Sequence, residues 1–187
     1  MSKINPALGH QAILERVLLS EEQLQSRIAE MAADISRDYA GQDLLLVCIL
    51  RGGVVFLTDL MRKISIPHQI DFMAVSSYGV GARASSGSPR IALDLNTDIR
   101  NRHVLLVEDI VDSGITLEQV LRILETREPA SLHVCVLLDK EERRKVHIPT
   151  RYVGFKIPNE YVFGYGLDID EIWRNLPFVG IVKREYQ

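Results

Sequence analysis

Val104-Leu105-Leu106-Val107-Glu108-Asp109-Ile110-Val111-Asp112-Ser113-Gly114-Ile115-Thr116-Leu117 passes from an apolar run through an acidic pair into a glycine turn and then helical spacing. Strands covered on both faces read as continuous hydrophobic runs, so the apolar part predicts a buried strand over residues 103–108. A polar turn is expected over 109–115, then a helix over 116–127 with Leu117, Val120, Leu121 and Leu124 facing inward. Glu108, Asp109 and Asp112 crowd three carboxylates at the end of that strand, a repulsion that a metal ion or a hydroxylated ligand would relieve. The turn offers backbone N–H groups, the hydroxyls of Ser113 and Thr116, and a glycine that permits close approach, all leading into a positive helix N-terminus. That combination is a phosphate cradle. Carboxylates for sugar hydroxyls beside donors for a phosphate describe a site for a phosphorylated ribose.

Working outward, Leu44-Leu45-Leu46-Val47-Cys48-Ile49-Leu50 is a second run apolar on both faces and predicts a central parallel strand. Arg51-Gly52-Gly53 ends it, and helical spacing resumes over 54–63 through Val54, Leu57, Leu60 and Met61. Before it, Ser20-Glu21-Glu22-Gln23 reads as a capping box opening a helix whose apolar face is Leu24, Ile28, Met31 and Ile35. Further strands are expected over 69–76, 90–95, 131–138, 152–155, 161–163 and 177–182, with a turn or short helix over 170–175. Between the strands at 69–76 and 90–95, Ser77 to Pro89 is rich in glycine and serine; so long a loop in a compact domain predicts a lid. Alternating strands and helices imply an α/β fold with a central, mostly parallel sheet flanked by helices, whose ligands bind at the carboxyl ends of the strands.

Composition narrows the function. A chain of 187 residues suits a single domain over 1–187, and 22 basic against 25 acidic residues give a net charge of −3, which speaks against a nucleic-acid partner. The longest apolar run falls far short of the roughly 20 residues a membrane span requires. The first residues lack a secretory h-region, so the cytoplasm is the expected location. Cys48 and Cys135 sit in apolar runs and read as buried thiols, the five histidines show no paired metal spacing, and His133 is expected as a packed or edge side chain. Glu141-Glu142-Arg143-Arg144-Lys145 reads as a solvated face or loop. No G-x-x-x-x-G-K-[ST] occurs, and neither Gly79-Val80-Gly81 nor Gly164-Tyr165-Gly166 is completed by a third glycine, so P-loop and dinucleotide readings fail.

With these residues in place, Glu108 to Thr116 resembles the phosphoribosyl-pyrophosphate signature of type I phosphoribosyltransferases, in the form carried by hypoxanthine-guanine phosphoribosyltransferases. Leu50-Arg51-Gly52-Gly53 is similar to that family's pyrophosphate loop and Ser77-Tyr78 to its lid hallmark. Val153 to Pro158 and Tyr161 to Asp168 are similar to its purine-binding region. The resemblance implies the type I phosphoribosyltransferase fold, with a core over about 40–140 and a small hood from about 1–19 and 150–187. It implies purine salvage: ribose 5-phosphate moves from phosphoribosyl pyrophosphate to a 6-oxopurine, giving IMP or GMP and pyrophosphate.

Residue by residue, the resemblance makes Asp112 the catalytic base. It places the ribose phosphate on Glu108, Asp109, Asp112, Ser113, Gly114, Ile115 and Thr116, and pyrophosphate on Arg51, Gly52 and Arg174. The purine falls to Lys140, Tyr161, Val162 and Asp168, the lid to Ser77 and Tyr78, and Mg2+ to Glu108, Asp109 and, at a second site, Asp168. In this family the peptide bond before Gly52 can be cis. A homodimer or homotetramer is implied. Read singly, Arg51 is a loop cation, Tyr161 a half-buried strand aromatic and Arg174 a partner of Asp170 or Glu171 on a surface helix. Rival readings are a xanthine- or uracil-preferring transferase and a non-catalytic nucleotide-binding regulator on the same fold.

Overall fold

The structure is a computed structural model that describes residues 9–76 and 90–187. Ser77 and Tyr78, with the rest of the expected lid, lie outside the described residues. Along the chain run α1 (His10–Ile13), β1 (Leu14–Leu19), α2 (Glu21–Asp38), β2 (Leu44–Leu50), α3 (Val54–Lys63), β3 (His68–Ser76) and β4 (Arg90–Leu93). Then come β5 (His103–Val111), α4 (Ile115–Glu125), β6 (Ser131–Asp139), β7 (Thr150–Lys156), β8 (Val162–Phe163) and β9 (Val179–Val182), with one 3-10 turn at Glu141–Arg143 and another at Arg184–Tyr186.

Six strands form one sheet in the order β4-β3-β2-β5-β6-β7, parallel except for β4 at the edge. The apolar runs divide between two cores by the alternation that strand geometry imposes. Leu46, Cys48, Leu105, Val107, Cys135 and Leu137 pack with α2 and α3, while Leu45, Val47, Val104, Leu106, Val134 and Val136 pack with α4. Both thiols are free and buried, and burial pushes the Cys48 thiol up to about 12, which keeps it protonated. His133 is packed at the flank, its Nδ1 lying 3.0 Å from the Tyr39 hydroxyl. Because β3 follows β2 on one side and β5 lies on the other, the chain reverses direction across the sheet between β2 and β5. A crevice outside the carboxyl ends of those two strands is where an open α/β sheet binds its ligand.

The capping box forms as written: the Gln23 N–H donates to Ser20 Oγ at 3.3 Å and the Ser20 N–H to Gln23 Oε1 at 2.9 Å. Leu24, Ile28, Met31 and Ile35 are all buried beneath α2. Ser20→Ala is expected to lower stability by about 1 kcal/mol, measured by denaturant unfolding; an unchanged midpoint would assign the end of α2 to packing alone.

One boundary and one buried face differ from the periodicity, and one segment takes the turn of its two expected forms. β5 continues through Val111 because Glu108, Ile110 and Val111 still pair with Val136, Leu138 and Asp139 of β6, which shortens the turn to 112–114. In α3 the buried face is Phe56, Leu57 and Leu60, while Val54, expected inward, opens the helix beyond the end of β2 and is exposed. Residues 170–175 hold no helix: Asp170, Glu171 and Trp173 all have positive φ, and Ile169 bridges back to Ile172. A second sheet, β1-β9-β8, is antiparallel and encloses Ile13, Phe163, Ile169, Leu176 and Val182. β7 belongs to the large sheet, so the C-terminal share of the small sheet starts at β8. Among the described residues no helix is long and apolar enough to cross a membrane.

Candidate active site

The turn after β5 opens directly onto the N-terminus of α4. Gly114 takes φ +80°, a conformation that costs glycine nothing, and caps α4 with no side chain of its own, while the Ile115 N–H donates to Ser113 Oγ at 3.4 Å. Ser113, Gly114 and Thr116 line a cavity of about 170 Å³ together with Glu108 and Asp112, and Ile115 beside it is exposed. The helix is eleven residues long, so its N-terminal dipole is fully developed at that cavity.

Beside the cradle the acidic pair is poorly solvated. Burial, reinforced by the neighbouring Asp109 charge, holds Glu108 well above the usual carboxylate range. Asp109 is pushed up to about 6 by burial, against the opposing pull of the Ile110 N–H and the Arg174 guanidinium. Two adjacent oxygen donors of this kind suit a hard divalent cation, whose charge would oppose both shifts. Among the described residues no three acidic, histidine or cysteine side chains converge as a complete metal site. The expected ligands therefore form two places, Glu108 with Asp109 and Asp168 separately, and each would rely on substrate oxygens and water to fill a coordination shell.

At the end of β2, Gly52 lies against Asp109 and the Arg174 charge reaches it, while Arg174 pairs with Asp168, and both Arg51 and Arg174 pair with Glu171. A Cβ on Gly52 would fall on Asp109 Oδ2, so the absence of a side chain at 52 is what lets the turn after β2 lie against β5. The cis peptide bond lies one residue earlier than expected, at Leu50–Arg51, where β2 gives way to the turn. Arg174 donates from Nη1 to the Gly166 carbonyl at 2.8 Å, and its Nη2 lies 2.8 Å from Asp168 Oδ1. Asp168 Oδ2 accepts the Glu171 N–H at 2.8 Å, which fixes the carboxylate.

A larger cavity, about 530 Å³, opens on the other side of Asp112 and is lined by Ile110, Lys140, Arg143, Tyr161, Val162 and Leu167 among others. Lys140 leaves the end of β6, its N–H bonded to the Val111 carbonyl at 3.0 Å, and its side chain is almost wholly buried. Burial holds its ammonium below the usual lysine range, while Asp112 pulls the other way. Tyr161 is 46% exposed, which leaves a ring face open for stacking, and Val162 beneath it is buried. Asp112 and Ile110 border both cavities.

The charged stretch 141–145 is not merely solvated. Arg143 Nε lies 2.8 Å from Asp112 Oδ1, and Arg144 Nη2 lies 2.7 Å from the buried Asp139 carboxylate. The second pair draws the loop back onto β6 and sets Arg143 over the site. Nothing in the periodicity of 141–145 marks this; the signal is only that the run follows directly on Lys140.

The phosphoribosyl transferase domain family matches residues 18–170. The hypoxanthine-guanine phosphoribosyltransferase of Mycobacterium avium is 51% identical over 189 aligned positions, covering 97% of this chain and 93% of that protein. The hypoxanthine phosphoribosyltransferase of Salmonella typhimurium is 47% identical over 168 positions, covering 89% and 94%. A crystal structure of a hypoxanthine phosphoribosyltransferase from Staphylococcus aureus superposes with a TM-score of 0.90 at 43% identity, covering 97% of this chain and 98% of that one.

Proposed function

The chain belongs to the phosphoribosyl transferase family, and on that premise we propose that it moves ribose 5-phosphate from phosphoribosyl pyrophosphate to a ring nitrogen of hypoxanthine or guanine. It is a purine-salvage pentosyl transferase with an α/β fold of the type I kind. The observation that carries the reading is the place of Asp112, shared between a phosphate-sized cavity at the α4 N-terminus and a larger cavity holding Lys140 and Tyr161. A purine in the larger cavity meets an anchored ribose at Asp112.

In the reaction the C1–oxygen bond to pyrophosphate breaks as a ring nitrogen bonds to the same carbon, through a state with cationic character on the sugar. Asp112 accepts the proton from the purine ring, and its carboxylate exchanges the Arg143 contact for that N–H. Arg51 and Arg174 take up the charge growing on the departing oxygens, their guanidinium forks matching phosphate oxygens. The α4 N-terminus with Ser113, Gly114, Ile115 and Thr116 holds the 5-phosphate, and Glu108 and Asp109 address the ribose hydroxyls. Magnesium would be held by Glu108 with Asp109 and, at a second place, by Asp168, and when bound it neutralises charge on the pyrophosphate oxygens. These groups invert the local sign of a chain whose net charge is −3.

Lys140 donates to the 6-oxo group of the base, Tyr161 stacks on the ring and the Val162 carbonyl faces the second ring carbon. Lysine carries donors only, so an amino group in that place is disfavoured. Lys140→Gln is expected to lower kcat/KM for hypoxanthine by roughly tenfold or more, the range for losing a charged hydrogen bond, with little change in phosphoribosyl pyrophosphate binding. Equal loss of both would move Lys140 to the phosphates.

The rival xanthine or uracil transferase and the non-catalytic regulator are not favoured, since relatives about half identical are named for hypoxanthine or hypoxanthine-guanine transfer. A cytoplasmic homodimer or homotetramer completes the proposal. Incubation with phosphoribosyl pyrophosphate, magnesium and each of hypoxanthine, guanine, xanthine, adenine and uracil tests it. Nucleotide is expected from hypoxanthine or guanine, and none from any base would overturn the reading.

A further inference from the structure

Glu171 stands inside the pyrophosphate corner although the chemistry above gives it no task. Its Oε2 lies 2.7 Å from Arg51 Nη1 and 3.0 Å from Arg174 Nη2, so one carboxylate oxygen bridges both guanidiniums. The two arginines hold Glu171 below the usual carboxylate range, so the bridge is ionic at neutral pH. We infer that Glu171 is an internal stand-in for the leaving group, its carboxylate occupying Arg51 and Arg174 until the diphosphate displaces it. The inference rests on the proposed pyrophosphate role of those arginines.

Three features make the contact exchangeable rather than structural. The Glu171 side chain is 64% exposed and Arg51 72%, so the carboxylate can swing into water at little cost in burial, and water screens the pair. Arg174 keeps the Gly166 carbonyl and Asp168 when Glu171 leaves, so its aim does not depend on the bridge. The Glu171 backbone is pinned separately, by its N–H bond to Asp168, so only the side chain has to move. A diphosphate presents several charged oxygens to the same two forks, and bidentate contacts to phosphate exceed a single shared carboxylate oxygen. The stand-in keeps two converging cations from repelling each other in the free enzyme, and it competes with substrate and with product. Its removal therefore strengthens diphosphate binding.

Titration calorimetry of inorganic diphosphate with magnesium into wild type and Glu171→Gln provides the test. Glu171→Asn serves as a second neutral variant, because asparagine accepts the positive φ of this position more readily. Both variants are expected to bind diphosphate about two- to fivefold more tightly, the size of an exposed ion pair, with a gain that shrinks as salt is raised. KM for phosphoribosyl pyrophosphate should fall in parallel while KM for the purine stays unchanged. Equal or weaker diphosphate binding in the variants would overturn the inference and make Glu171 a brace for the arginines. If wild type binds no diphosphate, the site assignment itself fails, a result separable from the first because it appears without any substitution.

Discussion

Asp112→Asn is expected to lower kcat by roughly 10²–10⁴-fold, the usual loss when a positioned general base is removed. Asparagine keeps the shape of the side chain and still fills the junction of the two cavities that Asp112 borders. What it loses is the capacity to take a proton from the purine ring. Phosphoribosyl pyrophosphate binding should stay near the wild-type value, since the phosphate site proposed above draws on the N–H groups of the α4 turn rather than on this carboxylate. The substitution also breaks the 2.8 Å contact with Arg143, so Arg143→Gln is the necessary control: it breaks the same contact and leaves the carboxylate in place. Steady-state kinetics on both variants, with direct titration of phosphoribosyl pyrophosphate, separates the two causes. Unchanged kcat in Asp112→Asn would remove Asp112 from the role of base.

Gly166→Ala is expected to cut kcat/KM for phosphoribosyl pyrophosphate by about 10²-fold, the penalty for moving reacting groups by about 1 Å. A Cβ at 166 would fall on the Gly52 carbonyl, a backbone atom that cannot rotate aside. The same residue has φ +96° and accepts Arg174 on its own carbonyl, so relief of the collision shifts both arms of the pyrophosphate corner. Stability should fall as well, by roughly 1–3 kcal/mol for a side chain forced into that backbone region. Gly41→Ala separates the causes, because Gly41 has φ +74° but nothing within 4 Å of an added Cβ. It should cost stability and leave kcat/KM alone. If Gly166→Ala matched Gly41→Ala in kinetics, the close approach of 166 to 52 would have no part in binding.

Much of the fold was legible because its causes are local. The capping box at Ser20, the buried faces of α2 and α4, and the runs of β2, β5 and β6 follow from side-chain chemistry and periodicity over a few residues. The errors arose where tertiary pairing extended or overrode a local pattern. β5 runs on through its own carboxylates because β6 supplies partners; at 170–175, where turn and short helix were both open, the chain takes positive-φ turns that present Glu171 and Arg174.

The phosphate turn was likewise readable, since the acidic pair, the hydroxyls and Gly114 are contiguous and the turn carries its own N–H donors. By itself, then, the amino-acid sequence determined the α/β class, the buried strands and the contiguous acidic, hydroxyl and glycine turn on which the proposed phosphoribose site is built. Which charges would face one another was decided only by the tertiary structure. Arg51 and Glu171 are 120 positions apart and touch because β2 lies beside β5 and the segment after β8 folds back over the end of β2. Arg143 reaches Asp112 because the buried Arg144–Asp139 pair turns the loop inward. Periodicity reports which face of an element is apolar, whereas a contact between distant charges depends on strand order and loop path, which no short window of residues encodes.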